Sequence, residues 1–80
     1  MARIVLYSQP GCPSCQTAKE FLSAHGAQYE ERNIRQDAEF LRELVEDLDS
    51  RTTPTLVVDS HVIMGFDAEK YESALSGNSK

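Results

Sequence analysis

Two cysteines separated by two residues are the side chains of this sequence best suited to chemistry. Cys12 and Cys15 are its only cysteines, and they follow an apolar run and a turn-forming segment, Ser8-Gln9-Pro10-Gly11. A thiol pair at this spacing closes a disulfide within one helical turn and reopens it. The predicted strand–turn–helix setting favours a redox pair over half of a metal site.

The place of each cysteine along the predicted helix suggests a division of labour. Unpaired N–H groups and the positive end of the helix dipole stabilise a thiolate at Cys12. Cys15, one turn further in, is expected to be more buried and to keep its proton longer. We therefore predict that Cys12 attacks a disulfide and that Cys15 resolves the mixed disulfide. Pro13 removes one N–H donor near the sulfur and stiffens the loop.

A metal site is the main alternative for the cysteine pair. A structural zinc site needs two more ligands, and the candidates, His25 and His61, lack zinc-finger spacing. We predict no metal ligands within one chain. An iron–sulfur cluster or another metal carried on the same fold stays open as the alternative function.

Length and composition limit the fold and the partners. The 80 residues predict one domain over residues 1–76 with a short tail at 77–80. A net charge of −5 argues against nucleic acid and anionic membranes as partners. No 18-residue apolar run and no leader pattern is present, so we expect a cytoplasmic protein. Nothing in the sequence suggests an oligomer, and a monomer is expected.

Alternating strand and helix patterns predict the order β-α-β-α-β-β-α. Strands separated by helices favour parallel pairing, and the final hairpin adds an antiparallel strand. The result is an α/β fold with a four-stranded mixed sheet flanked by three helices. The predicted strands cover 3–8, 28–34, 55–58 and 61–64, and the helices cover 13–25, a segment capped by Asp37 and a segment capped by Asp67.

Two predictions concern individual side chains of the helices. The second helix carries an apolar stripe with helical spacing, which is expected to face the core. Lys19 and an acidic cluster near the end of the second helix are expected to be solvated. The stripe comprises Phe40, Leu41, Leu44, Val45 and Leu48, and the acidic cluster comprises Glu43, Glu46, Asp47 and Asp49.

Two stretches, VLYSQPGCPSCQTAKEFLSAHGAQYEE and TTPTLVVDSHVIMGFD, resemble glutaredoxins and related thioredoxin-fold proteins. The resemblance covers nearly the whole chain and implies a dithiol–disulfide oxidoreductase without a tightly bound cofactor. Its substrates would be protein disulfides or mixed glutathione disulfides, and glutathione or thioredoxin reductase would supply the electrons.

The resemblance also implies roles for residues outside the cysteine pair. Thr53-Pro54 would form a cis peptide bond opposite Cys12, and the Thr53 backbone would pair with an extended thiol substrate. The turn Gly65-Phe66-Asp67 would bind the γ-glutamyl end of glutathione.

Three departures place the chain between two subtypes of the family. Many glutaredoxins have Lys where this chain has Gln9, Tyr where it has Ser14, and Gly-Gly where it has Met64-Gly65. A neutral Gln9 gives up a contact to a glutathione carboxylate, and Met64 intrudes on a tight turn. Redoxins that donate electrons to ribonucleotide reductase share the Gly-Phe turn and are recycled by thioredoxin reductase. Gln9 and Ser14 remain candidate substrate contacts.

Overall fold

A computed structural model of the chain describes residues 3–75. The end of the predicted domain at residue 76 and the predicted tail lie outside this range. The described elements follow the predicted order β-α-β-α-β-β-α: β1 (Ile4–Ser8), α1 (Pro13–Ala24), β2 (Glu30–Asn33), α2 (Ala38–Arg42), β3 (Thr55–Val58), β4 (His61–Met64) and α3 (Ala68–Leu75). No helix between residues 3 and 75 is long and apolar enough to cross a membrane.

The four strands form one mixed sheet in the order β2-β1-β3-β4. β1 pairs with β2 in parallel and with β3 in antiparallel orientation, and β3 and β4 form the predicted hairpin. The predicted mixed sheet is therefore confirmed, but parallel pairing of β3 is wrong. β3 begins at Thr55, which pairs with Tyr7 near the carboxyl end of β1, and β2 ends beside the same end of β1. The connection through α2 thus returns to the end of the sheet that it left, and β3 runs antiparallel to β1.

Successive strand side chains point to opposite faces of the sheet. Both faces carry apolar side chains, and helical segments cover both. On one face, α1 and α3 pack on β1, β3 and β4, and on the other face the segment after α2 packs on β1. The buried side chains of the first face are Leu6, Ala18, Leu22, Leu56, Val58, Ile63 and Tyr71. Those of the second face are Val5, Tyr7 and Leu44.

The second helix differs from a regular α-helix. Asp37 caps α2 through its carboxylate, which accepts from the Glu39 N–H at 2.9 Å. After Arg42 the chain continues as a π-helical segment over Glu43–Asp47. The wider i to i+5 turn changes which side chains share a face. Leu44 is buried as predicted, but Leu41 is 44% exposed and does not belong to the core stripe.

Glu43 was predicted to be solvated, and the structure shows that this is wrong. Arg32 Nη1 donates to Glu43 Oε1 at 2.7 Å, and the Tyr7 hydroxyl donates to the same oxygen at 3.0 Å. Arg32 also pairs with Glu30 at 2.7 Å. Burial, followed by the hydrogen bond to Glu43, raises the pKa of Tyr7 above its usual value. These contacts tie the π-helical segment to β1 and β2.

Candidate active site

Cys12 is the N-cap residue of α1. Its backbone is extended (φ −117°, ψ 98°), and Pro13 occupies the first turn of the helix, as predicted. The Cys15 N–H donates to Cys12 Sγ at 3.2 Å, so the sulfur takes the place of the usual capping oxygen. A sulfur at this position lies at the positive end of the helix dipole, where a thiolate is favoured over a thiol.

The two cysteines differ in their access to solvent. They form a disulfide whose Cα atoms are 5.2 Å apart, within the usual range for such bonds. Cys15 is only 2% exposed, whereas Cys12 is half-buried. A substrate therefore has access to the Cys12 sulfur and not to that of Cys15.

The loop before β3 lies against Cys12. The Thr53-Pro54 peptide bond is cis, which agrees with the expectation drawn from the resemblance. The Thr53 carbonyl oxygen lies 3.7 Å from Cys12 Sγ, and the Thr53 hydroxyl lies 3.6 Å from the same sulfur. Because β3 begins at the end of the sheet where β1 ends, Cys12 and Thr53 meet although they are 41 positions apart in the chain.

Gln9 extends this set of contacts from the turn before Cys12. Its Nε2 donates to the Thr53 hydroxyl oxygen at 2.8 Å. One N–H of the Gln9 amide is therefore bound to the loop.

Buried hydroxyl groups support the loop on its other side. Ser50 and Thr55 are both buried, and their hydroxyl oxygens are 2.8 Å apart. The Thr55 hydroxyl donates to the Thr52 carbonyl at 2.7 Å. Neither Ser50 nor Thr55 was predicted to have a function from its sequence pattern. The density of hydroxyl residues around Pro54 is the signal that could have found them, since Ser and Thr side chains often bond to nearby backbone groups.

The turn Gly65-Phe66-Asp67 contacts the same loop, but its side chains have structural partners. The Gly65 N–H donates to the Pro54 carbonyl at 2.7 Å. Phe66 packs edge-on against Tyr71 with ring centroids 5.0 Å apart, and the Asp67 carboxylate accepts from the Lys70 N–H at the start of α3. The structure therefore brings Gly65 to the loop, while Phe66 and Asp67 serve packing and helix capping.

A groove of about 430 Å³ opens beside the disulfide. Ser14, an exposed residue in the first turn of α1, is not among the residues that line it. Its lining contains one cation and otherwise neutral residues: Gln9, Pro10, Gly11, Cys12, Pro13, Cys15, Gln16 and Lys19.

Lys19, the cation of this groove, is bound to a neighbouring strand. Its Nζ lies 3.2 Å from Glu31 Oε2, and both side chains are about one-third exposed (32% and 37%). The buried Ser8 donates to the same carboxylate oxygen at 2.7 Å. Ser8 chiefly, and Lys19 in addition, lower the pKa of the Glu31 carboxyl. The prediction of a simply solvated Lys19 is therefore wrong, because the parallel pairing of β2 brings Glu31 within reach.

No cluster of three or more His, Cys, Asp or Glu side chains that could hold a metal ion is present in residues 3–75. His25 stacks on Phe21 with ring centroids 4.1 Å apart, and its Nε2 lies 3.7 Å from Glu72. His61 is exposed on β4. Neither histidine joins the cysteine pair.

A mixed four-stranded sheet with a cysteine pair at a helix N-terminus and a facing cis-proline defines a thioredoxin-fold redox protein. Among solved structures, the thioredoxin-like protein BC3987 matches with a TM-score of 0.88 and 42% sequence identity. The match covers 90% of this chain and 99% of that chain.

The family follows from the sequence comparisons. The glutaredoxin family model matches residues 4–63, and the chain belongs to the glutaredoxin family. Glutaredoxin 3 of Escherichia coli (strain K12) is 31% identical, over 84% of this chain and 81% of that protein. The glutaredoxin-like protein NrdH of Lactococcus lactis subsp. lactis is 30% identical, over 79% of this chain and 86% of that protein. Members of this family are in general thiol–disulfide oxidoreductases, and the resemblance found in the sequence is confirmed.

Proposed function

We propose that the chain reduces protein disulfides or mixed glutathione disulfides through a two-thiol cycle of Cys12 and Cys15. The observation that carries this proposal is the asymmetry of the pair. Cys12 Sγ is half-buried, caps α1 and accepts from the Cys15 N–H at 3.2 Å, whereas Cys15 is 2% exposed. The accessible sulfur is thus the one whose thiolate is stabilised, and the inaccessible sulfur is held beside it.

The cycle begins when the Cys12 thiolate attacks one sulfur of a substrate disulfide. A bond forms between the two sulfurs, the substrate S–S bond breaks, and the leaving sulfur takes its electron pair and a proton. Cys15 then loses its proton and attacks Cys12 Sγ, which releases the second substrate sulfur as a thiol. The substrate gains two electrons, and the Cys12–Cys15 disulfide described above is the product.

Substrate pairing involves the backbone of Thr53. Within the described part of the chain, its N–H has no hydrogen-bond partner, and its carbonyl lies 3.7 Å from Cys12 Sγ. An extended peptide or a glutathione backbone that pairs with these groups would bring its sulfur to Cys12, in the manner of an added strand. Pro54 fixes the loop, and Pro13 keeps the approach to the sulfur open.

The electron source we propose is thioredoxin reductase rather than glutathione. Gln9 is neutral, and Lys19, the one cation among the described residues that line the groove, is paired with Glu31, so the groove offers little unpaired positive charge to glutathione carboxylates. Met64, 52% exposed, precedes Gly65 in the turn that the resemblance assigns to glutathione. Ser14 does not line the groove, and Phe66 and Asp67 have partners within the chain, so we treat these three residues as weaker candidates for contacts to glutathione.

Two regeneration assays distinguish the electron sources. The oxidised protein is mixed either with thioredoxin reductase and NADPH or with glutathione, glutathione reductase and NADPH, and the return of both thiols is followed by alkylation and mass. Fast recovery with thioredoxin reductase and slow recovery with glutathione are expected. Efficient turnover with glutathione alone would overturn the choice of electron source while leaving the two-thiol cycle intact.

Single-cysteine variants test the assigned roles. Cys12→Ser is expected to abolish reduction of a disulfide substrate, and Cys15→Ser is expected to accumulate a mixed disulfide on Cys12. The mixed disulfide is measured by mass spectrometry without reductant. Equal loss of the first attack in both variants would contradict the assignment.

The carrier alternative is tested by an absorbance spectrum. We expect protein purified without oxygen to be colourless, with two free thiols and no tightly bound cofactor. We also expect the protein to be a monomer and to act in the cytoplasm. A coloured, cysteine-dependent cluster would favour an iron–sulfur or metal carrier instead.

A further inference from the structure

The contacts of Gln9, Thr53 and Cys12 form a directed chain of hydrogen bonds. A threonine hydroxyl has one hydrogen to donate and two lone pairs that accept. The Gln9 amide nitrogen only donates, and its contact at 2.8 Å therefore occupies a lone pair of Thr53 Oγ1. The hydroxyl hydrogen remains free to donate, and within residues 3–75 its acceptor is Cys12 Sγ at 3.6 Å.

We propose that Gln9 is a positioning residue whose amide turns the Thr53 hydroxyl hydrogen toward the attacking sulfur of Cys12. This inference rests on the proposed two-thiol cycle and adds to it a donor from outside the cysteine motif. It also gives Gln9 a function other than contact with a substrate carboxylate.

The hydroxyl acts on the charged form of the sulfur. A thiolate accepts hydrogen bonds more strongly than a thiol or a disulfide sulfur, because it carries a full negative charge. In the reduced protein, Cys12 Sγ would thus accept from two donors, the Cys15 N–H and the Thr53 hydroxyl. The hydroxyl keeps its proton throughout the attack, and its contribution is to raise the fraction of Cys12 present as thiolate at a given pH.

The role proposed for the Gln9 amide predicts that replacements of Gln9 and Thr53 have coupled effects on Cys12. If Gln9 acts only through the Thr53 hydroxyl, its replacement has an effect when the hydroxyl is present and none when the hydroxyl is absent. A double-mutant cycle measures this dependence, because residues in one hydrogen-bond network give non-additive effects.

The test titrates Cys12 in the Cys15→Ser background, which leaves one thiol and retains the backbone N–H at position 15. The rate of iodoacetamide alkylation is measured from pH 4 to pH 9. Four further changes are compared in this background: Thr53→Val, Thr53→Ser, Gln9→Met and the combination of Gln9→Met with Thr53→Val. Thermal unfolding confirms that each variant is folded.

The expected midpoints follow from the loss of one donor. Thr53→Val should raise the titration midpoint of Cys12 by about one pH unit, a tenfold loss of thiolate well below the midpoint. Gln9→Met should raise it by about half a unit, because the hydroxyl is then free to turn away. Thr53→Ser, which keeps the hydroxyl, should leave the midpoint near its original value. The double variant should match Thr53→Val alone.

Two results would overturn the inference. An unchanged midpoint in Thr53→Val would show that the hydroxyl does not stabilise the thiolate. Equal effects of Gln9→Met with and without the Thr53 hydroxyl would show that Gln9 acts by another route. Disulfide reduction by the unaltered chain is measured separately. If reduction is seen while the midpoints fail to move, the inference falls and the proposed function stands. If the midpoints move as expected and no disulfide is reduced, the hydrogen-bond chain stands and the proposed function falls.

Discussion

Tyr71 connects the last helix to the active-site loop, and its hydroxyl offers a direct test of that connection. Its side chain is fully buried, and the hydroxyl donates to the Gly65 carbonyl at 3.2 Å. The Gly65 N–H in turn donates to the Pro54 carbonyl at 2.7 Å. Tyr71→Phe removes the hydroxyl and retains a ring that packs on Phe21 and Phe66.

The expected cost of Tyr71→Phe comes from one lost hydrogen bond and one carbonyl left without its donor. A net hydrogen bond contributes about 1 kcal/mol, and an unsatisfied buried acceptor adds to this. Because Gly65 is only half-buried, water reaches its carbonyl in part, and we expect about 1.5 kcal/mol in total. For a domain of this size, that corresponds to a fall in the unfolding temperature of roughly 6–12 °C.

The pH dependence gives a second readout of the same residue. Burial raises the pKa of Tyr71 to about 12. A folded-state pKa above the unfolded value of about 10 means that the contribution is constant below pH 10 and is lost as pH rises toward 12. The unaltered chain should therefore lose stability over this range, and Tyr71→Phe should lose less. The difference between them should shrink as the pH rises.

Urea unfolding followed by circular dichroism at pH 7 and at intervals up to pH 11.5 measures both effects. Tyr29→Phe is the matched control, because in the part of the chain that the structure describes the Tyr29 hydroxyl has no hydrogen-bond partner. If Tyr71→Phe were as stable as Tyr29→Phe at pH 7, the connection to Gly65 would be refuted. If Tyr71→Phe and the unaltered chain lost equal stability at high pH, the burial of the Tyr71 hydroxyl would be refuted.

Three further predictions concern the Glu31 carboxyl beside the site, the core and the end of α1. Ser8→Ala should raise the pKa of the Glu31 carboxyl more than Lys19→Met does, since the Ser8 hydrogen bond lowers it most; carbon-13 NMR titration of that carboxyl checks this order. The lowered pKa of Glu31 stabilises the folded state at pH values above the pKa of this carboxyl in the unfolded chain, and this stability is lost on acidification. Ser8→Ala should therefore lose less stability on acidification than the unaltered chain. Leu22→Ala, at a fully buried position, should cost about 3 kcal/mol in urea unfolding, and a value below about 1 kcal/mol would contradict its core position. Gly26→Ala should cost about 1 kcal/mol because φ is +68° there, with no steric clash to add, and an unchanged stability would argue against this backbone conformation.

The elements nearest the cysteine pair could be predicted because their signals are local. Pro13 occupies the first turn of α1, and Gly26, with φ +68°, follows its end. The short β-rich runs that became β3 and β4 were also placed correctly, since a two-residue connection favours a hairpin. In each case the residues that determine the structure lie within a few positions of one another.

The features that could not be predicted depend on residues far apart in the chain. A strand was predicted over 28–34, but the shorter bounds of β2, Glu30–Asn33, follow from its pairing with β1, because its residues are polar and carry no apolar pattern. Glu43 lies in an acidic run, and only the approach of Arg32 and Tyr7 explains its partial burial. The contact of Gln9 with Thr53 joins positions 44 residues apart, and neither side chain indicates it alone.

This difference between local and distant contacts bears on what sets the reactivity of Cys12. The helix N-terminus and the Cys15 N–H come with the motif itself, so any Cys-Pro-x-Cys helix of this shape supplies them. The Thr53 hydroxyl comes from a loop held in place by Gln9 on one side and by the buried hydroxyls of Ser50 and Thr55 behind it. If the Thr53 hydroxyl stabilises the Cys12 thiolate, two chains with an identical motif would differ in the fraction of this cysteine present as thiolate, according to these distant residues. The reactivity of Cys12 should therefore depend on the loop before β3 as well as on the four residues of the motif.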